Sequence, residues 1–259
     1  MRQTTRQALF ILASAIGAAL SATDAQAMDL KVLTAGAFKS SVVALVPEYE
    51  KASGNKVVID NDTAGALVKR IEAGETFDLV VLTPAAIDEI IAKGKAAPGS
   101  RTNLARVGVG VMVKEGAPKP DISTVEAFKK AVLAAKSVSF IDPASGGSSG
   151  IYVAKLMERL GIAAEVKPKE KLKDGGYVAD YIASGEAELG IHQISEILPH
   201  AGVTLVGPLP REIQNYTVYA AGIGATTSHA DAARALIAVF SGPSAQALFK
   251  AKGMEPAGD

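Results

Sequence analysis

The regular alternation of short apolar strand-like segments with amphipathic helical segments constrains the fold of this chain more than any other feature. Residues 77–82 form an almost continuous apolar run, which is typical of a strand buried on both faces of a parallel sheet. Val42, Leu45 and Val46 recur at helical spacing and give residues 40–51 an apolar face. The alternation predicts an α/β fold with parallel-type sheets, right-handed crossovers and flanking helices. We expect strands at residues 30–34, 56–60, 77–82, 106–114, 138–141, 189–192, 204–206 and 217–223, and helices at residues 40–51, 65–73, 84–93, 124–135, 150–160, 175–184, 230–240 and 244–252.

Two runs of strand, small-residue turn and helix, at residues 30–51 and 138–160, indicate two lobes rather than one continuous sheet. Each run would place a helix N-terminus at the carboxyl edge of its own sheet. Two such edges that face each other form a cleft, the usual ligand position in open α/β sheets. We expect lobe I to comprise residues 28–107 and 222–259, and lobe II to comprise residues 108–221, with the ligand cleft between them.

The first 27 residues have the features of a secretory signal peptide. Arg2 and Arg6 make its start positive, residues 8–20 are small and mostly apolar, and Ala25-Gln26-Ala27 fits cleavage after Ala27. The alternative is a membrane anchor, but the apolar run is shorter than the ~20 residues that a spanning helix needs. We therefore expect export to the periplasm and no membrane span after cleavage of the signal peptide.

The composition excludes several classes of function. Lys and Arg together number 27, as do Asp and Glu, so the formal charge is zero and we expect no nucleic-acid partner, which would require a basic surface. The chain has no Cys, which rules out disulfides, thiolate metal sites and Cys nucleophiles. Its three histidines, His192, His200 and His229, fit no metal-binding spacing, and we expect neither a metal nor a cofactor.

The strongest chemical motif is Asp-Pro-Ala-Ser-Gly-Gly-Ser-Ser-Gly at residues 142–150, just before a predicted helix. Backbone N–H groups of a Gly/Ser-rich turn at a helix N-terminus bind anions, and Ser hydroxyls add donors. Ser145, Ser148 and Ser149 are therefore candidate ligand-binding residues, although a single Ser here would also serve as an ordinary helix cap. The motif contains a G-x-S-x-G match as well, but residues 143–144 separate it from the strand, which disfavours a hydrolase nucleophile.

Two further strand-to-helix junctions and one strand end supply the remaining candidates. Backbone N–H groups at the junctions would bind anionic groups, and the Lys39 side chain would either add a positive charge or remain solvated. His192 and Gln193 end a predicted buried strand, where both would face the cleft; His192 would otherwise be a structural histidine. The ligand-binding candidates are Gly36, Ala37, Phe38 and Lys39 at the first junction, Thr63, Ala64 and Gly65 at the second, and Gln193 at the strand end.

Several segments taken in order resemble the periplasmic molybdate-binding protein family, the substrate-binding components of ABC importers. The segments are Val-Leu-Thr-Ala-Gly-Ala at residues 32–37, Arg-Ile-Glu-Ala-Gly at 70–74, Phe-Asp-Leu at 77–79, Asp-Pro at 142–143 with Gly-Ile-Tyr at 150–152, Gly-Glu-Ala-Glu-Leu-Gly-Ile at 185–191, and Ala-Leu-Phe at 247–249. The resemblance covers nearly all of the chain after the signal peptide. It implies a type II periplasmic binding protein with two α/β lobes, joined by two crossover strands and closing on ligand by a hinge.

The ligand residues of that family are only partly matched. The resemblance implies a Ser where this chain has Ala37, a second Ser where it has Ala64 beside Thr63, and a Tyr where it has Gln193. A buried dianion such as molybdate needs nearly every oxygen hydrogen-bonded, because each unmet contact costs roughly 1–3 kcal/mol. We therefore expect a small organic carboxylate rather than molybdate or tungstate.

Residues 185–196 and 206–210 are more similar to an aconitate isomerase branch of the same family than to its metal-oxyanion binders. Two functions remain open on this basis. The first is a periplasmic solute-binding protein that delivers a small anion to an inner-membrane ABC permease. The second is an isomerase that moves a proton along an allylic tricarboxylate, in which case His192 would be the catalytic base because its ordinary pKa lies close to neutral pH.

Overall fold

A computed structural model describes residues 27–257 of the chain. The predicted signal peptide lies outside the described residues except for Ala27. The strands are β1 (Asp29–Ala35), β2 (Lys56–Asp62), β3 (Leu79–Leu82), β4 (Thr102–Lys114), β5 (Val138–Ile141), β6 (Glu170–Lys173), β7 (Leu189–Gln193), β8 (Val203–Pro208), β9 (Tyr216–Ile223) and β10 (Met254–Pro256). The helices are α1 (Gly36–Ser53), α2 (Ala64–Glu72), α3 (Pro84–Ala92), α4 (Val125–Ala134), α5 (Ser148–Arg159), α6 (Ala163–Val166), α7 (Ala179–Ser184), α8 (Ile194–Ile197), α9 (Ala230–Ser241) and α10 (Pro243–Ala251).

The strands form a curled mixed sheet in the order β2-β1-β3-β9-β4-β7-β5-β6, with β8 and β10 pairing with β4. The pairs of β1 with β2 and β3, and of β5 with β6 and β7, are parallel, as βαβ alternation requires. All pairs of β4 and β9 are antiparallel, so the sheet is mixed rather than purely parallel. The predicted α/β class, with helices flanking the sheet, is confirmed.

Strand β4 joins two parts of the molecule. Its first half pairs with β9 and β10, and its second half pairs with β7 and β8. One apolar core draws its buried residues from 30–107 and 219–254, whereas the others draw theirs from 109–213. This distribution supports the predicted two-lobe division, whose boundaries remain a prediction.

Helix α1 begins at Gly36, four residues earlier than the predicted start at residue 40. Ala37, Phe38 and Ser41 are buried one turn before Val42 and Leu45, so the buried face already starts at the first turn. The predicted turn around Gly36 is therefore the helix start itself, with the extended Ala35 as N-cap. Helix α5 likewise begins within the Ser/Gly motif, at Ser148 rather than at residue 150.

Candidate functional site

A cavity forms where the carboxyl ends of β1, β2, β5 and β7 meet the starts of the following helices. This edge is where α/β sheets usually place their ligands. The space measures about 400 Å³ including the solvent at its mouth. The lining residues are Ala35, Gly36, Ala37, Asn61, Asp62, Thr63, Ala64, Ile141, Gly147, Ser148, Ser149, Gly176, His192, Gln193, Glu196 and Tyr219.

The cavity brings together most of the residues that the sequence singled out. Those that line it are Gly36, Ala37, Thr63, Ala64, Ser148, Ser149, His192 and Gln193, whereas Phe38, Lys39, Gly65 and Ser145 do not. The residues come from three strand-to-helix junctions and one strand end that are far apart in the chain. Parallel pairing places the carboxyl ends of β1 and β2 at one edge and those of β5 and β7 at another, and the cavity lies where these two edges face each other.

The four other candidates have different positions for identifiable reasons. Phe38 is fully buried and packs on Phe249 with ring centroids 5.3 Å apart, because it lies on the inward face of α1. Lys39 lies one turn inside α1, since that helix starts at Gly36 rather than at residue 40. Ser145 and Gly65 lie instead where the segments of residues 63–65 and 145–146 contact each other beside the cavity. The Ser145 carbonyl accepts a hydrogen bond from the Thr63 hydroxyl, and the Gly65 N–H donates to the Gly146 carbonyl at 3.1 Å.

Two of the helices that begin at the cavity have no side-chain cap. Helix α1 follows Ala35 and helix α5 follows Gly147, and neither residue caps its helix with a side chain. Helix α2, in contrast, is capped by the Thr63 hydroxyl, which accepts a hydrogen bond from Ala66 N–H at 3.1 Å. The first-turn N–H groups of α1 and α5 are thus available to an anion, and both helix dipoles favour negative charge there.

A buried histidine and a buried glutamate lie in contact at the floor of the cavity. The His192 Nε2 and Glu196 Oε2 atoms are 3.2 Å apart, and both side chains are more than nine-tenths buried. Burial lowers the pKa of His192 to about 3 and raises the pKa of Glu196 to about 8. Because desolvation outweighs the mutual attraction of the charged forms, the pair is mostly uncharged at neutral pH.

Glu196 and Tyr219 are the two lining residues whose importance the sequence reasoning missed. A Cβ on Gly36 would lie only 2.8 Å from Glu196 Oε1, so the absence of a side chain at Gly36 makes room for this carboxyl group. The Tyr219 hydroxyl lies 3.2 Å from Ser148 Oγ, and burial raises the pKa of Tyr219 well above its ordinary value. Helical spacing could not have indicated the contact of Glu196 with His192, because His192 lies in strand β7 and Glu196 lies in the short helix α8 that follows.

The described lining of the cavity contains no Lys or Arg side chain and no metal-binding cluster. None of the lining residues is Lys or Arg, so an anion would rely on N–H groups and hydroxyls. Among residues 27–257, no group of three or more His, Asp or Glu side chains is arranged to hold a metal ion. His200 pairs with Asp180 and His229 lies 3.3 Å from Asp78, both away from the cavity. Within the same described range, no helix is long and apolar enough to cross a membrane.

The fold and the cavity are those of a solute-binding protein. The sequence profile of the bacterial extracellular solute-binding protein family matches residues 30–255, and the chain belongs to this family. It is 32% identical over 233 residues to an aconitate isomerase of a Pseudomonas species, a match that spans 88% of this chain and 87% of the relative. It is also 27% identical over 252 residues to a molybdate-binding protein of Azotobacter vinelandii, spanning 93% and 96% of the two chains.

Solved structures agree on the fold. The periplasmic molybdate-binding protein of Azotobacter vinelandii superposes with a TM-score of 0.75 at 23% identity, covering 87% of this chain and 98% of the other. A sulfate-binding protein of Mycobacterium tuberculosis H37Rv superposes with a TM-score of 0.71 at 17% identity, covering 89% and 87%. The predicted resemblance to molybdate-binding proteins and to an aconitate isomerase is confirmed at the level of family and fold.

Proposed function

We propose that this protein binds a small organic polycarboxylate in the cavity and interconverts cis- and trans-aconitate by moving a proton. The observation that carries the proposal is the buried Glu196 carboxyl, in contact with His192, in the wall of a cavity that is otherwise built for an anion. A carboxyl group with a raised pKa can both take up and release a proton near neutral pH, which binding of an anion alone does not require. The 32% identical aconitate isomerase supports the same assignment.

The chemistry requires one proton carrier with a pKa near the working pH. Glu196 in its carboxylate form would remove a proton from the methylene carbon of aconitate. The C–H electron pair then forms the new C=C bond, and the pair of the old C=C bond takes the proton back from the Glu196 carboxyl at the far carbon. The reaction consumes no other reactant, and Glu196 ends as it began.

The pKa values favour Glu196 over His192 as this carrier. A base is most effective when its pKa lies near the operating pH, and the pKa of about 8 meets this condition. Burial lowers the pKa of His192 to about 3, which makes its imidazole a weak base. We therefore propose that His192 positions the Glu196 carboxyl, in place of the catalytic role expected from sequence.

The remaining contacts would hold the carboxylate groups of the ligand. The proposed ligand-binding groups are the first-turn amides of α1 and α5 together with the side chains or backbone of Gly36, Ala37, Thr63, Ala64, Ser148, Ser149 and Gln193. Ala37 and Ala64 offer no hydroxyl to a compact oxyanion at the two positions where the resemblance to molybdate-binding proteins implies Ser. These features support a carboxylate over molybdate or tungstate.

A second candidate function is the delivery of the same carboxylate to an ABC permease of the inner membrane. Membership of the solute-binding family favours it. Under this proposal the protein acts in the periplasm after removal of its signal peptide, and the ligand leaves the cavity unchanged.

Turnover separates the two candidates. Purified protein is added in catalytic amount to trans-aconitate in D2O, and proton NMR follows the vinyl and methylene signals. The isomerase proposal predicts cis-aconitate and deuterium at the exchanging carbon, with a rate that rises with pH up to about 8 and then levels off, because the active form of Glu196 is the carboxylate. Calorimetric binding of trans-aconitate without interconversion or exchange would establish the transport candidate instead.

Matched variants assign the proton carrier. Glu196→Gln should lose turnover by about two to four orders of magnitude, since an amide cannot carry the proton. His192→Gln should lose less turnover than Glu196→Gln, and its rate should still rise with pH. Full activity in Glu196→Gln would refute the assignment of this residue.

A further inference from the structure

Four polar side chains at the cavity form a hydroxyl–amide cluster, defined as Ser148, Gln193, Thr217 and Tyr219. Gln193 Nε2 donates to Thr217 Oγ1 at 3.0 Å and to Ser148 Oγ at 3.2 Å. Ser148 Oγ and the Tyr219 hydroxyl are 3.2 Å apart. Gln193, Thr217 and Tyr219 are all more than nine-tenths buried, so water competes little for these groups.

The bonds among Ser148, Gln193 and Tyr219 leave one hydroxyl hydrogen, of Ser148 or Tyr219, without an acceptor. Ser148 already accepts from Gln193, and one of the pair Ser148 and Tyr219 donates to the other. Two hydroxyl hydrogens share that single bond, so one hydrogen, on either Ser148 or Tyr219, has no acceptor in the cluster. A ligand oxygen in the cavity is the natural acceptor, because a buried hydroxyl without a partner is costly.

The cluster also leaves one acceptor unused. Gln193 Oε1 is buried and has no hydrogen-bond partner among the described residues. An unsatisfied buried carbonyl costs about 1–3 kcal/mol, so a hydrogen-bond donor on the ligand would remove a real penalty. The cluster therefore leaves one donor and one acceptor without a partner, and both belong to residues that line the cavity.

We infer that this cluster recognises a neutral carboxyl group of the ligand, with Tyr219 as a specificity-determining residue. A protonated carboxyl accepts a hydrogen bond through its carbonyl oxygen and donates one through its O–H, which complements the two unused groups. Sulfate and molybdate at neutral pH offer only acceptors, and their oxygens would oppose Gln193 Oε1. The inference rests on the proposed function and deepens it, because it selects an acid that is bound with one carboxyl protonated.

The opposite orientation of the Gln193 amide has a different consequence. If Thr217 and Ser148 both donated to Oε1, the amide N–H groups would point to the ligand and would suit a fully ionised group. The two arrangements differ in proton uptake on binding, which is measurable.

The experiment is titration calorimetry of wild type with trans-aconitate and with sulfate at neutral pH, in two buffers of different ionisation enthalpy. We expect trans-aconitate to bind with uptake of about one proton, and sulfate to bind at least about 100-fold more weakly. Comparable binding of sulfate, or binding of trans-aconitate without proton uptake, would overturn the inference.

Variants locate the effect at Tyr219. Tyr219→Phe removes only the hydroxyl and should weaken trans-aconitate binding by about tenfold or more. Tyr49→Phe is the matched control, because Tyr49 is equally buried and hydrogen-bonded but lies in α1 away from the cavity. It should bind as wild type does. Unchanged affinity in Tyr219→Phe would overturn the inference.

A second variant guards against misfolding and separates the two proposals. Ser148→Ala and the Ser148→Ala/Tyr219→Phe double variant should show non-additive losses, since the two hydroxyls share one bond; additive losses would count against the cluster. Turnover in wild type with an unaffected Tyr219→Phe would leave the isomerase proposal intact and reject this inference. Binding of trans-aconitate with proton uptake but without turnover would support this inference and reject the isomerase proposal.

Discussion

The buried Glu196 carboxyl should make the free energy of unfolding fall as the pH rises through the neutral range. Its pKa rises from 4.5 to about 8 on folding, so the native state keeps a proton that the unfolded state has lost. Wherever the native state binds the additional proton, the free energy of unfolding falls by about 1.4 kcal/mol per pH unit. Between pH 4.5 and 8, Glu196 therefore lowers the free energy of unfolding by about 5 kcal/mol in total. This stabilisation is fully present below pH 4.5 and is lost above pH 8.

His192 acts with the opposite sign over a lower range. Its pKa falls from 6.5 to about 3 on folding, so the unfolded state binds the additional proton and the free energy of unfolding rises with pH in that interval. The two slopes cancel between pH 4.5 and 6.5. For this pair we expect a plateau there, followed by a loss of about 2 kcal/mol between pH 6.5 and 8.

Urea unfolding of wild type and Glu196→Gln at pH 4.5, 6.5 and 8 tests this reasoning. The difference between the two proteins isolates Glu196, because their other titrating groups are the same. Glu196→Gln should lack the fall above pH 6.5. Glu115→Gln, which removes an exposed carboxyl, serves as the control and should parallel wild type.

One result would refute the argument. If the free energies of unfolding of wild type and Glu196→Gln changed in parallel between pH 6.5 and 8, Glu196 would already be ionised in the native state. The pair would then be an ion pair, and the proton carrier of the proposed reaction would have to be another group.

Three substitutions test the other structural arguments. Gly36→Ala places a Cβ 2.8 Å from Glu196 Oε1 and displaces the carboxyl, so turnover measured by NMR should fall about 100-fold while the thermal midpoint changes little; unchanged turnover would contradict this. Gly65→Ala places a Cβ 2.8 Å from Gly146 Cα and pushes apart the two backbone segments that meet there. Ligand dissociation measured by stopped-flow should then be about tenfold faster. An unaltered dissociation rate would show that this backbone contact does not retain the ligand. Phe38→Ala should lower the free energy of unfolding by about 3–5 kcal/mol in urea titrations, because Phe38 is fully buried in the core, and an unchanged free energy of unfolding would contradict this.

Local patterns in the sequence account for the architecture. Continuous apolar strands and amphipathic helices predicted nearly every βαβ unit. A helix that packs on a sheet needs one apolar face, and a strand covered on both sides needs apolar residues throughout, whatever its place in the fold. The Ser/Gly motif predicted a helix start at residue 150, two residues after the observed start of α5 at Ser148, since Ser and Gly suit the N-terminus of a helix. The edge strand β6 was missed, because its charged and partly exposed residues have no apolar alternation.

The boundaries and the chemistry of the site depended on contacts between distant residues. Helix α1 extends back to Gly36 because Phe38 packs against α9 and α10, which follow some 200 residues later in the chain. Eight predicted residues line the cavity, but no local pattern indicates that Glu196 would reach the space beside Gly36. Nor does any spacing bring the Tyr219 hydroxyl to Ser148, which is 71 residues earlier.

The sequence by itself thus determined the class of fold and indicated eight of the residues that line the cavity, because periodicity and turn chemistry are local properties. The tertiary structure alone decided which groups titrate unusually. A pKa of about 8 for Glu196 arises from the surrounding walls that exclude water, and those walls come from strands and helices spread over most of the described chain.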